Sequence, residues 1–197
     1  MAIYFIRHGE KAISKDANAA FKYKDQPLTK TGFEQADMIA AFFDDINISY
    51  IYASEYLRVQ QTAAALARSK KLNIVIDNRL NEIDNGFVGI LSDEEISKKF
   101  PDFWKEFNEH KKDCRYPGGE TGSEVIYRQK SILKDLSRLN GNVAAFCHDG
   151  FIRILASNIL GMPVYNRYKF ICDYGGITEV SIVDGEYKIQ RFNQLAY

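Results

Sequence analysis

Short apolar runs recur along the chain: IYFI (3–6), SYIYAS (49–54), NIVID (73–77) and NVAAFC (142–147). They are nearly continuous rather than alternating, the pattern of strands covered on both faces in a largely parallel sheet. Between them the period becomes helical. Thr29 is placed to cap a helix running to about Asp44, with Phe33, Ala36, Ala40 and Phe43 on one face. Ser54 is placed to cap a second, with Val59, Ala63 and Leu66 inward. Ser123 is placed to cap a third, with Val125, Gln129, Ile132, Leu136 and Leu139 at helical spacing and Asn140-Gly141 as its stop. Residues 151–160 form a fourth, closed by Gly161-Met162-Pro163. The tail TEVSIVDGEYKIQRF reads as two strands joined by Asp184-Gly185, a hairpin signal.

Strands alternating with helices predict a three-layer α/β/α fold with a mostly parallel central sheet and a C-terminal β-hairpin. No repeat, linker or low-complexity stretch divides the chain, so residues 1–197 are expected to form one domain. Residues 86–118 are the least regular part and read as short helices and loop, a lid or insertion over something. There, Phe103, Trp104 and Phe107 read as helix packing, and the Lys/Arg cluster as a solvated face.

Composition narrows the function. Hydrophobic residues make up 46%, enough for a sizeable core, and Lys+Arg and Asp+Glu are both 26, so no basic excess points to nucleic acid. Cys114, Cys147 and Cys172 are far apart and odd in number, which suggests free thiols in a reducing compartment and no zinc knuckle. MAIYFI is too short for a signal-peptide core, and no apolar run approaches the length of a membrane span. A cytoplasmic protein is the expectation.

The chain has three histidines, and two share a setting: His8 follows IYFIR and His148 follows VAAFC. Strand C-termini open into the binding crevice of such sheets, so the two converge if their strands are neighbours. Arg58 stands in the first turn after the second strand and faces the same crevice. With Arg7 it makes a compact cationic pocket in a neutral protein, and arginine's fork suits phosphate oxygens. Neighbouring guanidinium charges also favour neutral imidazole, the form a nucleophile attacking phosphorus requires. A proton donor for the leaving oxygen is offered by LNEIDNG (80–86): Glu82 first, Asp84 second. Glu10 is a further candidate beside the nucleophile, with a structural role as its alternative.

RHGE (7–10), PLTKTG (27–32), ASEYLRVQQTA (53–63), NEIDNGFVG (81–89), PGGET (117–121) and CHDGFIRILASNILGM (147–162) stand in an order that resembles the histidine phosphatase superfamily, the phosphoglycerate mutase-like or two-histidine phosphatase group. The resemblance covers nearly the whole chain. It implies His8 as the phosphorylated nucleophile, Arg7, Arg58 and His148 as phosphate ligands, and Glu82 as proton donor. The arginines are expected to supply the charge stabilisation that Mg²⁺ gives in many phosphoryl-transfer enzymes, so no metal or cofactor is expected. Departures from the family's pattern fall at Lys11 and Ser14, where many members have Ser or Thr and Asn. Phe21-Lys22 replaces a Gln-Gly or Thr-Gly pair, and Asp149 replaces a common Gly. Asp149 is a candidate substrate contact through a substrate cation, or a tuner of His148, although capping the following helix is the role its position favours.

The expected activity is hydrolysis of a small-molecule phosphate monoester through phosphohistidine, with no nucleic-acid or membrane partner and a homodimer left open. One rival is a cofactor-dependent phosphoglycerate mutase, which ranks lower because the mutases resembled are usually longer between the Glu and PGG blocks. The other is a catalytically silent phospho-ligand binding module, against which the full set Arg7, His8, Arg58, Glu82 and His148 counts.

Overall fold

In the computed structural model, residues 1–12 and 25–196 are described. The strand β1 (Ala2–Arg7) sends Ile3 and Phe5 to one side and Ala2, Tyr4 and Ile6 to the other, and both sets are buried. This is why its sequence does not alternate in polarity: a core lies on each face. One core gathers Ile3, Phe5, Val143, Ala145, Val125, Ile132, Phe151 and Leu155, and the other gathers Tyr4, Ile6, Ile39, Phe43, Val59, Leu66, Ala144 and Phe146.

The remaining strands are β2 (Ile48–Ala53), β3 (Ile74–Ile76), β4 (Asn142–Cys147), β5 (Ile177–Val183) and β6 (Glu186–Gln194), in the sheet order β3-β2-β4-β1-β5-β6. The first four run parallel, and β5 and β6 are antiparallel additions on the β1 side. Helices α1 (Lys30–Phe42) and α2 (Leu57–Lys70) supply one core. Helices α3 (Asp93–Lys99), α4 (Pro101–Glu109), α5 (Gly122–Leu136) and α6 (Asp149–Ile159) complete the set, with α5 and α6 covering the other face. The fold is therefore the three-layer, mostly parallel architecture with a C-terminal hairpin. At the hairpin tip Asp184 (φ 54°) and Gly185 (φ 81°) both occupy the left-handed region, as a two-residue type I′ turn requires. Among the described residues no helix is long and apolar enough to cross a membrane.

Several local expectations change. Thr29 does cap α1, its hydroxyl accepting from Gly32 N at 3.0 Å, but Phe33 is 47% exposed because it lies off the inward stripe of Ala36, Ile39 and Ala40. Ser54 does not cap α2; the N-cap is Tyr56, and the Ser54 hydroxyl is turned to His148 and Asn81. For α5 the cap is Thr121 rather than Ser123, because Thr121 and Glu124 form a reciprocal capping box. That helix stops at Leu136, short of the Asn140-Gly141 signal, and α6 starts at Asp149 with His148 as N-cap. β3 is an edge strand with Val75 and Ile76 about half exposed, so it is not covered on both faces.

Within 86–118 a 3-10 turn (Gly86–Gly89) precedes α3 and α4. Phe103 and Phe107 stack on each other at 5.3 Å and pack on Tyr116, while Lys98, Lys99, Lys105, Lys111 and Lys112 are exposed, in line with the packing and solvated-face readings.

Candidate active site

The parallel pairing of β1 with β4 sets Arg7 opposite Cys147. His8 and His148, each one residue further on, emerge side by side at the C-terminal edge of the sheet. Their ring centroids are 5.3 Å apart at an interplanar angle of 69°. Arg58, in the first turn of α2, reaches between them: Nε donates to His8 Nε2 at 3.1 Å and Nη2 donates to His148 Nδ1 at 3.2 Å. His8 Nδ1 lies 2.7 Å from the Gly9 carbonyl, which can only accept, so Nδ1 carries the ring hydrogen. The lone pair is left on Nε2.

Both imidazoles are buried, and both are held well below the usual histidine range, by burial first and by the Arg58 guanidinium next. Arg7 donates to the Cys172 carbonyl at 2.5 Å, and its guanidinium lies 4.0 Å from the centre of the Tyr174 ring.

Glu82 follows a 3-10 turn (Asn78–Leu80) and sits against the N-terminus of α6. Its Oε1 accepts from the backbone N–H of Ile83 (2.9 Å) and Phe151 (3.0 Å), and Oε2 accepts from Gly150 N–H (3.1 Å). Those bonds favour the carboxylate, yet burial outweighs them and raises its pKa. Glu82 therefore holds a proton to higher pH than an ordinary glutamate, as a donor to a leaving oxygen requires.

Arg7, His8, Lys11, Tyr56, Arg58, Glu82, Ile83, Asp84, Asn85, Gly86, Gly89, Ile90 and Asp149 line one cavity of about 210 Å³. Arg7, His8, Arg58, Glu82 and Asp149 are thus brought to one pocket, and His148 stands against its floor through His8 and Arg58. Asp149 is not the helix cap that its position favoured. It occupies the first turn of α6 and pairs with Arg153 at 2.5 Å. Glu10 turns away from the pocket: its Oε1 accepts from the Thr29 hydroxyl at 2.6 Å, so it braces the start of α1. Asp84 lines the pocket and its Oδ1 accepts from Gly86 N–H at 3.0 Å. Lys11 is on the pocket wall, while Ser14, Phe21 and Lys22 lie outside the described residues. Among the described residues no group of three His, Cys, Asp or Glu is arranged to hold a metal ion.

Two aromatic members were not singled out in the sequence. Tyr56 stacks edge-on to His148 (5.0 Å) beneath the Arg58 guanidinium (4.6 Å). Tyr174 lies 5.6 Å from the His8 ring. It sits in the turn just before the antiparallel strand β5, whose beginning meets the end of β1, a position that rules for parallel crevices do not mark. The signal that could have found it is the Gly175-Gly176 pair, which lets the chain turn into β5 with Gly175 N bonded to the His8 carbonyl and Gly176 O bonded to Arg7 N.

Known proteins resemble this chain over most of its length. The family model of the histidine phosphatase superfamily (branch 1) matches residues 3–195. Phosphoserine phosphatase 1 of Hydrogenobacter thermophilus is 24% identical over 196 residues, covering 97% of this chain and 91% of that protein. A protein of Enterobacter sp. named "Probable phosphoglycerate mutase GpmB" is 31% identical over 167 residues, covering 84% of this chain and 77% of that one. The crystal structure of the alpha-ribazole phosphatase from Shigella flexneri superposes with a TM-score of 0.82 at 23% identity, covering 98% of this chain and 96% of that one. With the match extending over almost its entire length, the chain belongs to the histidine phosphatase superfamily.

Proposed function

We propose that the protein hydrolyses small-molecule phosphate monoesters through a phosphohistidine on His8. The observation that carries this reading is the state of His8: a buried, neutral imidazole whose Nδ1–H is tied to the Gly9 carbonyl, leaving Nε2 as the nucleophilic lone pair beside Arg58. Arg7, Arg58 and His148 receive the phosphate oxygens. His8 Nε2 attacks phosphorus in line, the bond to the ester oxygen breaks, and Glu82 gives that oxygen its proton. Glu82, now a carboxylate, takes a proton from water as the water attacks phospho-His8, releasing phosphate and restoring both groups. The guanidinium charges stabilise the transferring phosphoryl group, the part that Mg²⁺ takes in many phosphoryl-transfer enzymes.

Gly86, Gly89 and Ile90 form one pocket wall, which supports residues 86–118 as a cover over the site. The buried free thiols Cys114, Cys147 and Cys172 support a reducing, cytoplasmic setting. Relatives named as phosphatases support hydrolysis, and the 31% identical relative named as a mutase supports the second reading, return of the phosphoryl group to another hydroxyl.

The test is a quenched reaction with a panel of radiolabelled phosphate esters. A label on His8 that is labile in acid and stable in base, lost together with turnover in His8→Ala and indifferent to EDTA, is expected. Full turnover in His8→Ala, or loss with EDTA that Mg²⁺ restores, would refute it.

A further inference from the structure

A line of hydrogen bonds runs from the back of His148 to the protein surface, and its polarity is fixed at both ends. At the outer end the Glu55 backbone N–H donates to Asn81 Oδ1 (3.2 Å), and Asn81 Nδ2 donates to the Glu55 carboxylate (3.0 Å). These two bonds allow the Asn81 amide one orientation, with Oδ1 facing Ser54 as a pure acceptor. The Ser54 hydroxyl therefore donates to Oδ1, at 3.0 Å. Its single proton is then committed, so toward His148 Nε2, 2.8 Å away, Ser54 Oγ accepts. Nε2 carries the hydrogen. At the inner end Arg58 has no lone pair to offer, and its Nη2 donates to His148 Nδ1. Both ends require the same tautomer: Nε2–H, with Nδ1 bare.

We infer that Ser54 and Asn81 are positioning residues that lock His148 in the Nε2–H tautomer, so that its Nδ1 takes up a proton when a phosphate-type dianion enters the pocket. The inference rests on the phosphate-pocket reading above. A bare Nδ1 against an anionic oxygen sets one lone pair against another. As Arg58 turns its fork to the anion, Nδ1 must gain a hydrogen to stay in contact. The proton comes from the P–OH group of a monoanionic ester or from solvent: the O–H bond breaks, the N–H bond forms, and the imidazolium donates to the anion. Arg58 from α2, Arg7 at the end of β1, His8 just beyond it and Arg128 from α5 all oppose charge on this ring. Glu82, Asp84, Asp149 and Lys11 line the same pocket, and the Tyr56 ring packs on the imidazole. The incoming dianion is the added charge that tips the balance toward imidazolium.

The chain has only three histidines, so ¹⁵N NMR of histidine-labelled protein gives three side-chain patterns, assignable with His8→Gln and His110→Gln. The expected free protein shows His148 protonated at Nε2 alone, and saturation with sulfate at pH 8 protonates both its nitrogens. Sulfate stays dianionic throughout, so its affinity should fall about tenfold per pH unit between about pH 7 and 9, one proton per anion. Ser54→Ala removes the lock. Asn81→Ala, at a half-exposed position that keeps the core intact, lets the Ser54 hydroxyl turn round and donate to Nε2. With sulfate bound and the Arg58 fork turned to it, both variants should carry the His148 hydrogen on Nδ1 alone and flatten the pH slope toward zero. An Nδ1–H tautomer in the unaltered free protein, an unchanged pH slope in both variants, or a neutral His148 with sulfate bound to the unaltered protein at pH 8 would overturn the inference. Absence of sulfate binding at any pH would overturn the phosphate-pocket reading instead, and an Nδ1–H tautomer in the free unaltered protein would still overturn the lock.

Discussion

Gly150→Ala should disable Glu82, the proposed proton donor, without replacing it. Gly150 is the second residue of α6, and a Cβ there would come 2.6 Å from Glu82 Oε1 and 2.9 Å from Ile83 Cγ2. That is about 0.8 Å inside ordinary van der Waals contact, so the carboxylate, the flexible partner, must move by close to that amount. Its bonds to the Ile83, Gly150 and Phe151 N–H groups are then strained or lost. A misplacement of ~1 Å costs roughly 10²-fold in rate, equivalent to about 2.7 kcal/mol of barrier, and lies within the 10²–10⁴-fold that general acid help supplies.

The backbone at Gly150 is helical, so alanine gains about 0.5–1 kcal/mol of helix preference and folding is not the weak point. The assay compares kcat for an alkyl phosphate with kcat for p-nitrophenyl phosphate, whose leaving group needs no proton. Alkyl turnover should fall about 100-fold while aryl turnover changes only a few-fold. Glu82→Gln should show the same selectivity with a larger drop, and the double variant should add little to it, since both act on one group. Equal slowing of both esters, or undiminished alkyl turnover, would remove Glu82 from the role and pass it to Asp84.

Burial keeps His8 and His148 neutral, so the unfolded chain binds more protons below pH 6.5. In Glu82→Gln, where the opposing shift of the glutamate is absent, stability from denaturant melts should decline as pH falls below 6.5, by up to about 2.7 kcal/mol per pH unit for two protons. A flat profile would mean the rings are charged in the folded state. Phe146→Ala, at a fully buried position on β4, should lower stability by about 3–5 kcal/mol, read as a drop in the denaturant midpoint at unchanged slope. Given 3-phosphoglycerate and a trace of 2,3-bisphosphoglycerate, the protein should release inorganic phosphate if it acts on them. Rapid formation of 2-phosphoglycerate with negligible phosphate would establish the mutase reading.

The sheet and the candidate site at its edge were legible because both rest on short-range pattern. Apolar runs ending in Arg7-His8 and Cys147-His148 mark two strands and the polar residues at their ends, and adjacency of β1 and β4 does the rest. Helix boundaries were less legible, because the residues that compete for a cap are decided by tertiary partners. Ser54 is a good cap by type, yet His148 and Asn81 take its hydroxyl, and the capping box at Thr121 displaces Ser123. Glu10 and Glu82 are equally plausible acids by type. They separate only when α1 claims the first through Thr29 and the start of α6 buries the second. Tyr174 enters from the turn before an antiparallel strand far along the chain, and its one local trace is the Gly175-Gly176 pair that follows it.

The pairing of β1 with β4 also acts as a ruler. The gap between His8 and His148 is set by which residue of one strand faces which residue of the other, with Arg7 opposite Cys147. A slip of one residue would turn every core side chain to the wrong face, and a slip of two, which preserves the faces, would carry one imidazole about 6.6 Å past its partner. Arg58 spans both rings with a single guanidinium and has no such reach. Turnover is therefore a sensitive gauge of strand alignment at the centre of the sheet. Loosened forms that keep their helices and their compactness should fall silent as enzymes well before circular dichroism registers a change.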